Sequence, residues 1–240
     1  PLEQMGAYIR LPLSGGLPMT VVGAPMRAIE WESRVASAQV KSAILFAAVL
    51  GGVRATVTEP HRSRDHTERM LQARGVHLHV HGNRVSLEAA QVLRADDVAV
   101  PADPSAAAFF AALACMATSG ELRLTDTCLN PTRTGFLETL KRMGADLELE
   151  DRRDDGGEPV GTIVAKPSEL RGINVSPDDV PSMIDELPLL ACLATRAAGK
   201  TIVRGAAELR VKESDRIATI VSNLRNLGAD AQELEDGFEI

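Results

Sequence analysis

Four short stretches gather the side chains that bind anions or move protons. They are Ser37-Ala38-Gln39, Arg62-Ser63-Arg64-Asp65-His66, Asp185-Glu186, and Arg210-Val211-Lys212-Glu213-Ser214-Asp215-Arg216. Each lies at or just before the start of an expected helix, where free backbone N–H groups and the positive end of the helix dipole favour phosphate or carboxylate. Such a contact contributes about 0.3 to 1 kcal/mol when exposed and more when buried. Ordinary capping explains any one of these stretches alone. Together they carry cationic and hydrogen-bonding side chains rather than simple caps, which would serve two anionic substrates. Lys212 and Arg216 stand four apart and are expected to share a helix face, with Glu213 beside Lys212 as a proton carrier. The alternative there is a solvated helix start of mixed charge. Asp185 heads a strongly apolar helix, where a carboxylate is either an N-cap or a general base, and the sequence leaves both open. His77, His79 and His81 alternate along one strand and could hold a metal, but an exposed strand face explains them better. Met70, Met143 and Met183 read as core.

The elements that must position these residues recur. Three alanine-rich apolar helices, running from Ser37, Asp103 and Asp185, end at Gly52, Gly120 and Gly199, and each is followed at once by a β-prone strand. A polar loop and a second, amphipathic helix come next, closed by Gly75, Gly144 and Gly228 where a C-terminal cap takes a positive φ. Period-two alternation follows each cap, most plainly in Val76 to His81, where Gly82-Asn83 turns a hairpin. The repeat therefore reads strand, helix, strand, helix, strand, strand. The cap glycines lie 69 and 84 residues apart, a spacing that suits a globular α/β domain built from copies rather than a thin solenoid.

Composition narrows the function further. The chain has 240 residues, 45% of them hydrophobic and 25% charged, enough for a full core in one large or two smaller domains. Aromatic residues make up only 3%, so small aliphatic side chains must build that core. The 33 acidic and 26 basic residues leave a formal charge of -7, which argues against a general nucleic-acid surface or a polybasic membrane patch. The longest uncharged run, between Asp103 and Glu121, is 17 residues long and too polar for a transmembrane helix. No signal peptide is visible. Cys115, Cys128 and Cys192 lack zinc-knuckle or redox spacing and are expected to be buried small hydrophobes in a reducing cytoplasm.

A domain boundary is expected near residues 97 to 103, giving domains of 1–99 and 100–240. Residues 151 to 161 are expected to form a long exposed hairpin loop. Leu2 to Ala7 read as the last turn of a second helix and Asp230 to Ile240 as an unfinished strand pair, so the chain is expected to be part of a longer protein.

Several of these stretches resemble the 5-enolpyruvylshikimate-3-phosphate synthase family. The resemblance is carried by Arg210 to Ile220, by Ala36 to Ala43, Arg64 to Leu71, Asn130 to Gly135 and Pro181 to Pro188, in the family's order, and covers essentially the whole chain. It implies an α/β (α+β) fold of two similar domains, each with three βαβαββ copies in an inside-out α/β barrel, and helix N-termini facing a cleft. It also implies transfer of the enolpyruvyl group of phosphoenolpyruvate to the 5-hydroxyl of shikimate 3-phosphate by addition and elimination, with no cofactor and no metal. Under that resemblance Ser37, Ala38, Gln39 and Arg64 line the shikimate 3-phosphate site, and Gln39 also reaches the phosphoenolpyruvate phosphate. Asp185 takes the hydroxyl proton, Lys212 contacts substrate, Glu213 handles the methylene proton and Arg216 binds phosphoenolpyruvate. A cytoplasmic monomer acting on small molecules, without nucleic acid or membrane, is implied. Ala38 stands where many members carry serine and Glu208 where some carry asparagine. The family's N-terminal lysine, serine and arginine ligands and its C-terminal Asp-His-Arg segment have no counterpart in the chain, so it is expected to be inactive alone. The alternatives are a transferase acting on UDP-N-acetylglucosamine, which relies on a reactive loop cysteine, and a non-catalytic phosphate-binding module.

Overall fold

The computed structural model describes residues 1–240, which divide into two compact units, 1–98 and 99–240. In the first unit β1 (Tyr8–Arg10) and β2 (Thr20–Val22) pair antiparallel. A complete repeat follows: β3 (Ile29–Glu32), α1 (Ala38–Gly51), β4 (Ala55–Thr58), α2 (His66–Ala73), β5 (Leu78–His81) and β6 (Arg84–Leu87). Its sheet runs β3-β4-β6-β5, with β3 and β4 parallel and the other pairs antiparallel. Parallel neighbours need a crossover, which α1 supplies, whereas β5 and β6 need only the Gly82-Asn83 turn. Alternation along β4 points Ala55 and Val57 into a core with Ile44, Leu45 and Ala48 of α1, while His77, His79 and His81 face outward.

The second unit holds two more repeats. The first comprises α3 (Pro104–Cys115), β7 (Leu122–Cys128), α4 (Gly135–Arg142), β8 (Leu147–Asp155) and β9 (Glu158–Ala165). The second comprises β10 (Asn174–Val175), α5 (Leu187–Ala194), β11 (Ile202–Val203), α6 (Arg216–Asn226), β12 (Gln232–Leu234) and β13 (Gly237–Glu239). Their sheets run β7-β9-β8 and β10-β11-β13-β12. In the earlier repeat the leading strand shrinks to one parallel bridge between Ala102 and Thr127. Every repeat thus orders its strands first, second, fourth, third. Asp103 caps α3 by accepting the Ser105 N–H at 3.0 Å, with Pro104 in the first turn where its missing N–H costs nothing. Ala107, Ala108 and Ala111 are buried, and α3 packs on α5 through such small side chains. The helix-closing Gly75, Gly144 and Gly228 all take positive φ, at 83°, 99° and 87°.

Three expectations change. Residues 151 to 161 are not a loop: β8 and β9 continue as strands to a two-glycine turn at Gly156-Gly157. Their charged residues occupy a solvent-facing ribbon, which hides the alternation. Met70 and Cys192 are exposed, whereas Met143, Met183, Cys115 and Cys128 are buried. The third change, at Lys212, concerns the site itself. No helix is long and apolar enough to cross a membrane.

Candidate active site

In the first unit the parallel strands β3 and β4 run in register, Glu32 beside Thr58, so the segments that follow them leave the sheet at the same edge. After β3 comes Ser37, the N-cap of α1, in extended backbone with its Oγ accepting the Val40 N–H at 3.4 Å. Ser37 and Ala38 are half-buried and Gln39 is exposed. After β4 come Glu59 to Asp65, and α2 begins at His66. Asp65 is buried and takes Arg62 at 2.6 Å and Arg69 at 2.9 Å, and the half-buried Arg64 lies between. The two segments are tied together. The Glu59 carboxylate accepts the Ser37 N–H at 3.1 Å and the Ser63 hydroxyl at 2.8 Å, and Ser42 Oγ meets Thr67 Oγ1 at 2.6 Å across α1 and α2.

Behind them sits a group that sequence reasoning missed. Lys41 is 1% exposed, its ammonium 3.0 Å from Glu59 and 2.7 Å from Glu68, both carboxylates also buried. The signal was present: Lys41 is the one charged residue of α1, and a buried charge demands a partner.

The last repeat of the second unit uses the same geometry. β10 and β11 are parallel, so the segment carrying Asp185 and the segment carrying residues 205–216 leave at one edge. Asp185 lies in a 3-10 turn, Ile184–Glu186, directly before α5, and Glu186 rather than Asp185 holds the N-cap position. Arg216 Nη1 is 3.6 Å from Asp185 Oδ1, and Arg216 Nη2 is 2.7 Å from Glu213 Oε2. Lys212 Nζ instead pairs with Glu208 at 2.5 Å. Lys212 and Arg216 do not share a helix face. The helix begins only at Arg216, because Asp215 caps it by accepting the Ala218 N–H at 3.0 Å, leaving Lys212 in extended backbone. Glu213's own backbone N–H, and then the Arg216 guanidinium, hold its carboxyl below the usual range. Gly135, at the start of α4, lets the Asp185-bearing segment approach: a Cβ there would overlap the Ser182 hydroxyl and crowd its backbone.

The structure therefore joins Asp185, Glu213 and Arg216 directly, and ties the Ser37 stretch to the segment carrying Arg64 through Glu59. It shows Lys212 next in the chain to Glu213 but bonded elsewhere. The family model described as EPSP synthase (3-phosphoshikimate 1-carboxyvinyltransferase) matches residues 1–240. The chain belongs to this family. A 3-phosphoshikimate 1-carboxyvinyltransferase from Persephonella marina is 47% identical over 245 residues, covering 100% of the chain and 57% of the relative. The protein of that name from Bacillus subtilis is 46% identical over 241 residues, 100% of the chain and 56% of the relative. Among solved structures, an EPSP synthase from Acinetobacter baumannii superposes with a TM-score of 0.89 at 44% identity, covering 99% of the chain and 54% of its own. The enolpyruvyl transferase NikO from Streptomyces tendae shares the fold, with a TM-score of 0.62 at 19% identity over 85% of the chain and 49% of its own. The chain thus spans little more than half the length of these EPSP synthase relatives. Its fold is the mixed α/β, enolpyruvyl transferase-like one built from βαβαββ copies.

Proposed function

We propose that this chain forms part of an enzyme that transfers the enolpyruvyl group of phosphoenolpyruvate to the 5-hydroxyl of shikimate 3-phosphate, releasing phosphate. The observation that carries the reading is the Asp185–Arg216–Glu213 arrangement, one guanidinium between two carboxylates. A guanidinium fork suits the carboxylate or phosphate of phosphoenolpyruvate. As Arg216 turns to that anion, Asp185 gives up that one contact and accepts the hydroxyl proton. The same turn removes one of the charges that keep Glu213 ionised, so Glu213 becomes able to hold a proton, deliver it to the methylene carbon on addition, and take one back from the resulting methyl group as the C–O bond to phosphate breaks and phosphate leaves. Lys212, exchanging Glu208 for substrate, balances the charge that develops. Ser37, Ala38, Gln39 and Arg64 take shikimate 3-phosphate, and Gln39 reaches the phosphoenolpyruvate phosphate. Residues 1–99 and 100–240 are read as parts of the family's first and second domains, working in the cytoplasm as a monomer without metal or cofactor.

The reading that requires a reactive loop cysteine fits less well. Cys115 closes α3, is buried, and burial pushes its thiol up from the ordinary value. Phosphate release from the two substrates tests the proposal, using the chain alone and a fusion in which it replaces the matched segment of the Bacillus subtilis relative. The fusion should turn over and the chain alone should not. A folded fusion that binds neither substrate would end this reading, and steady turnover by the chain alone would end the expectation that it needs further ligands.

A further inference from the structure

Lys41, Glu59 and Glu68 have no task in the reaction as proposed, yet they are 1%, 3% and 3% exposed. Stability alone is a weak reason to keep them, because well-packed apolar side chains in place of a buried ion pair are often at least as stable. What sets this group apart is where its remaining hydrogen bonds go. Glu59 Oε1 accepts the Ser37 N–H, at the residue that opens α1 and the proposed sugar-phosphate stretch. Glu59 Oε2 accepts the Ser63 hydroxyl, one residue before Arg64. One carboxylate therefore spans both segments that leave the parallel strands β3 and β4. It is anchored in turn, since its backbone N–H donates to the Asn83 carbonyl at 3.0 Å and its carbonyl accepts from the Asn83 side chain. Lys41 comes from α1 and Glu68 from α2, so the ammonium locks Glu59 against both helices.

We propose that Glu59, held by Lys41 and Glu68, is a positioning residue that fixes the spacing between the Ser37–Gln39 stretch and Arg64, and so sets the fit for shikimate 3-phosphate. The proposal rests on the reading that these stretches bind that substrate. A carboxylate reaching two loops at once is sensitive to loss of either link, and each hydrogen bond to a charged group is worth enough to shift an affinity by about 10-fold.

The test is shikimate 3-phosphate affinity and steady-state kinetics of the full-length protein, measured well below the melting temperature of each variant. Ser63→Ala removes the hydroxyl bond and leaves only the long contact from the Ser63 backbone N–H to Glu59 Oε2, 3.5 Å, so the link is weakened rather than lost and the dissociation constant should rise about 3-fold. Glu59→Leu removes both links and should raise it at least about 10-fold, with kcat at saturating substrate changed far less. Glu59→Gln keeps an oxygen for the Ser37 N–H but turns its amide N–H toward the Lys41 ammonium in place of Oε2, so its affinity should fall between those of wild type and Glu59→Leu. A purely structural role predicts lower melting temperatures with unchanged affinity of the folded protein. Should Glu59→Leu not fold, Ser63→Ala and Glu59→Gln decide the matter between them. Unchanged affinity in Ser63→Ala beside a wild type that binds overturns the positioning role alone. A wild type that does not bind shikimate 3-phosphate overturns the substrate reading, and this proposal with it.

Discussion

The charged groups of the first unit and those of the last repeat are held by opposite means. Lys41, Glu59 and Glu68 are sealed from water, whereas Arg216, Glu213, Lys212 and Glu208 pair at the surface, with Glu213's side chain 79% exposed. An exposed pair contributes only about 0 to 1 kcal/mol, so an arriving phosphate or carboxylate displaces it at little cost. A buried triad cannot be exchanged that way, because any member left alone keeps an uncompensated charge. The contrast suggests a division of labour within the chain. Fixed charge stands behind the stretch proposed to hold a substrate, and exchangeable charge stands where protons are proposed to move.

The largest effect is expected at Asp185. In the full-length protein Asp185→Asn should lower kcat by about 100- to 10,000-fold while KM moves only a few-fold, as loss of a general base requires. A raised KM with kcat preserved would make Asp185 a binding group instead. Lys41→Met should cost about 3 to 5 kcal/mol in urea denaturation, because two buried carboxylates lose their counter-ion. A cost below about 1 kcal/mol, the range of surface pairs, would erase the distinction between the two regions. Arg216→Lys should leave the denaturation midpoint unchanged and raise KM for phosphoenolpyruvate about 10-fold, since a point charge replaces a two-pronged fork.

The smallest effect is expected in acid. Burial raises the Asp179 carboxyl, but Arg142 and the Ser176 N–H outweigh it and leave the group below its ordinary 3.8. The backbone N–H of Ala218 depresses Asp215, and that of Gly205 depresses Asp236. A carboxyl depressed in the folded state stabilises fully above its unfolded value and loses that contribution as pH falls through the lower folded value. All three lie in residues 99–240, which should therefore lose stability below pH 3.8. Arg142→Gln should be less stable than wild type at pH 6, and the gap should narrow once Asp179 is protonated in both, to what the Arg142 bond to the Asn174 carbonyl contributes. Urea midpoints at pH 6 and through a series of progressively more acidic buffers measure this. A difference that persists undiminished in acid would mean that Arg142 acts through packing or through the Asn174 carbonyl rather than through Asp179.

Much of this fold is written locally, which is why the sequence shows it. The cap at Ser37, the closing glycines and the Gly82-Asn83 turn each act within a few residues of themselves. What stayed hidden depends on distant partners or on competing local signals. Lys41 finds Glu59 and Glu68 only after β4 and α2 have docked on α1. The leading strand of the middle repeat survives as one bridging residue, Ala102, too short to leave a periodic pattern. Around Lys212 several residues could have capped the helix, and the sequence does not say that Asp215 wins. The sequence placed Asp185 and Arg216 in separate stretches, and only the parallel pairing of β10 with β11 explains why those side chains meet.

The repeated strand order carries a consequence for how the chain is made. In the sheets β3-β4-β6-β5 and β10-β11-β13-β12 the strand synthesised last sits between the second and the third, and β9 lies likewise between β7 and β8. A growing chain that has emerged only as far as the third strand has nothing to pair it with. Each final hairpin closes over two residues and can form within about 1 to 10 microseconds, far faster than a ribosome adds one amino acid. Emergence of the fourth strand is then the event that lets its repeat assemble. While only three strands of a repeat have emerged, two unpaired strand edges stand open to other chains, so the hazard of slow translation is greatest when the emerged chain ends at His81, Asp155 or Leu234, where the third strands end.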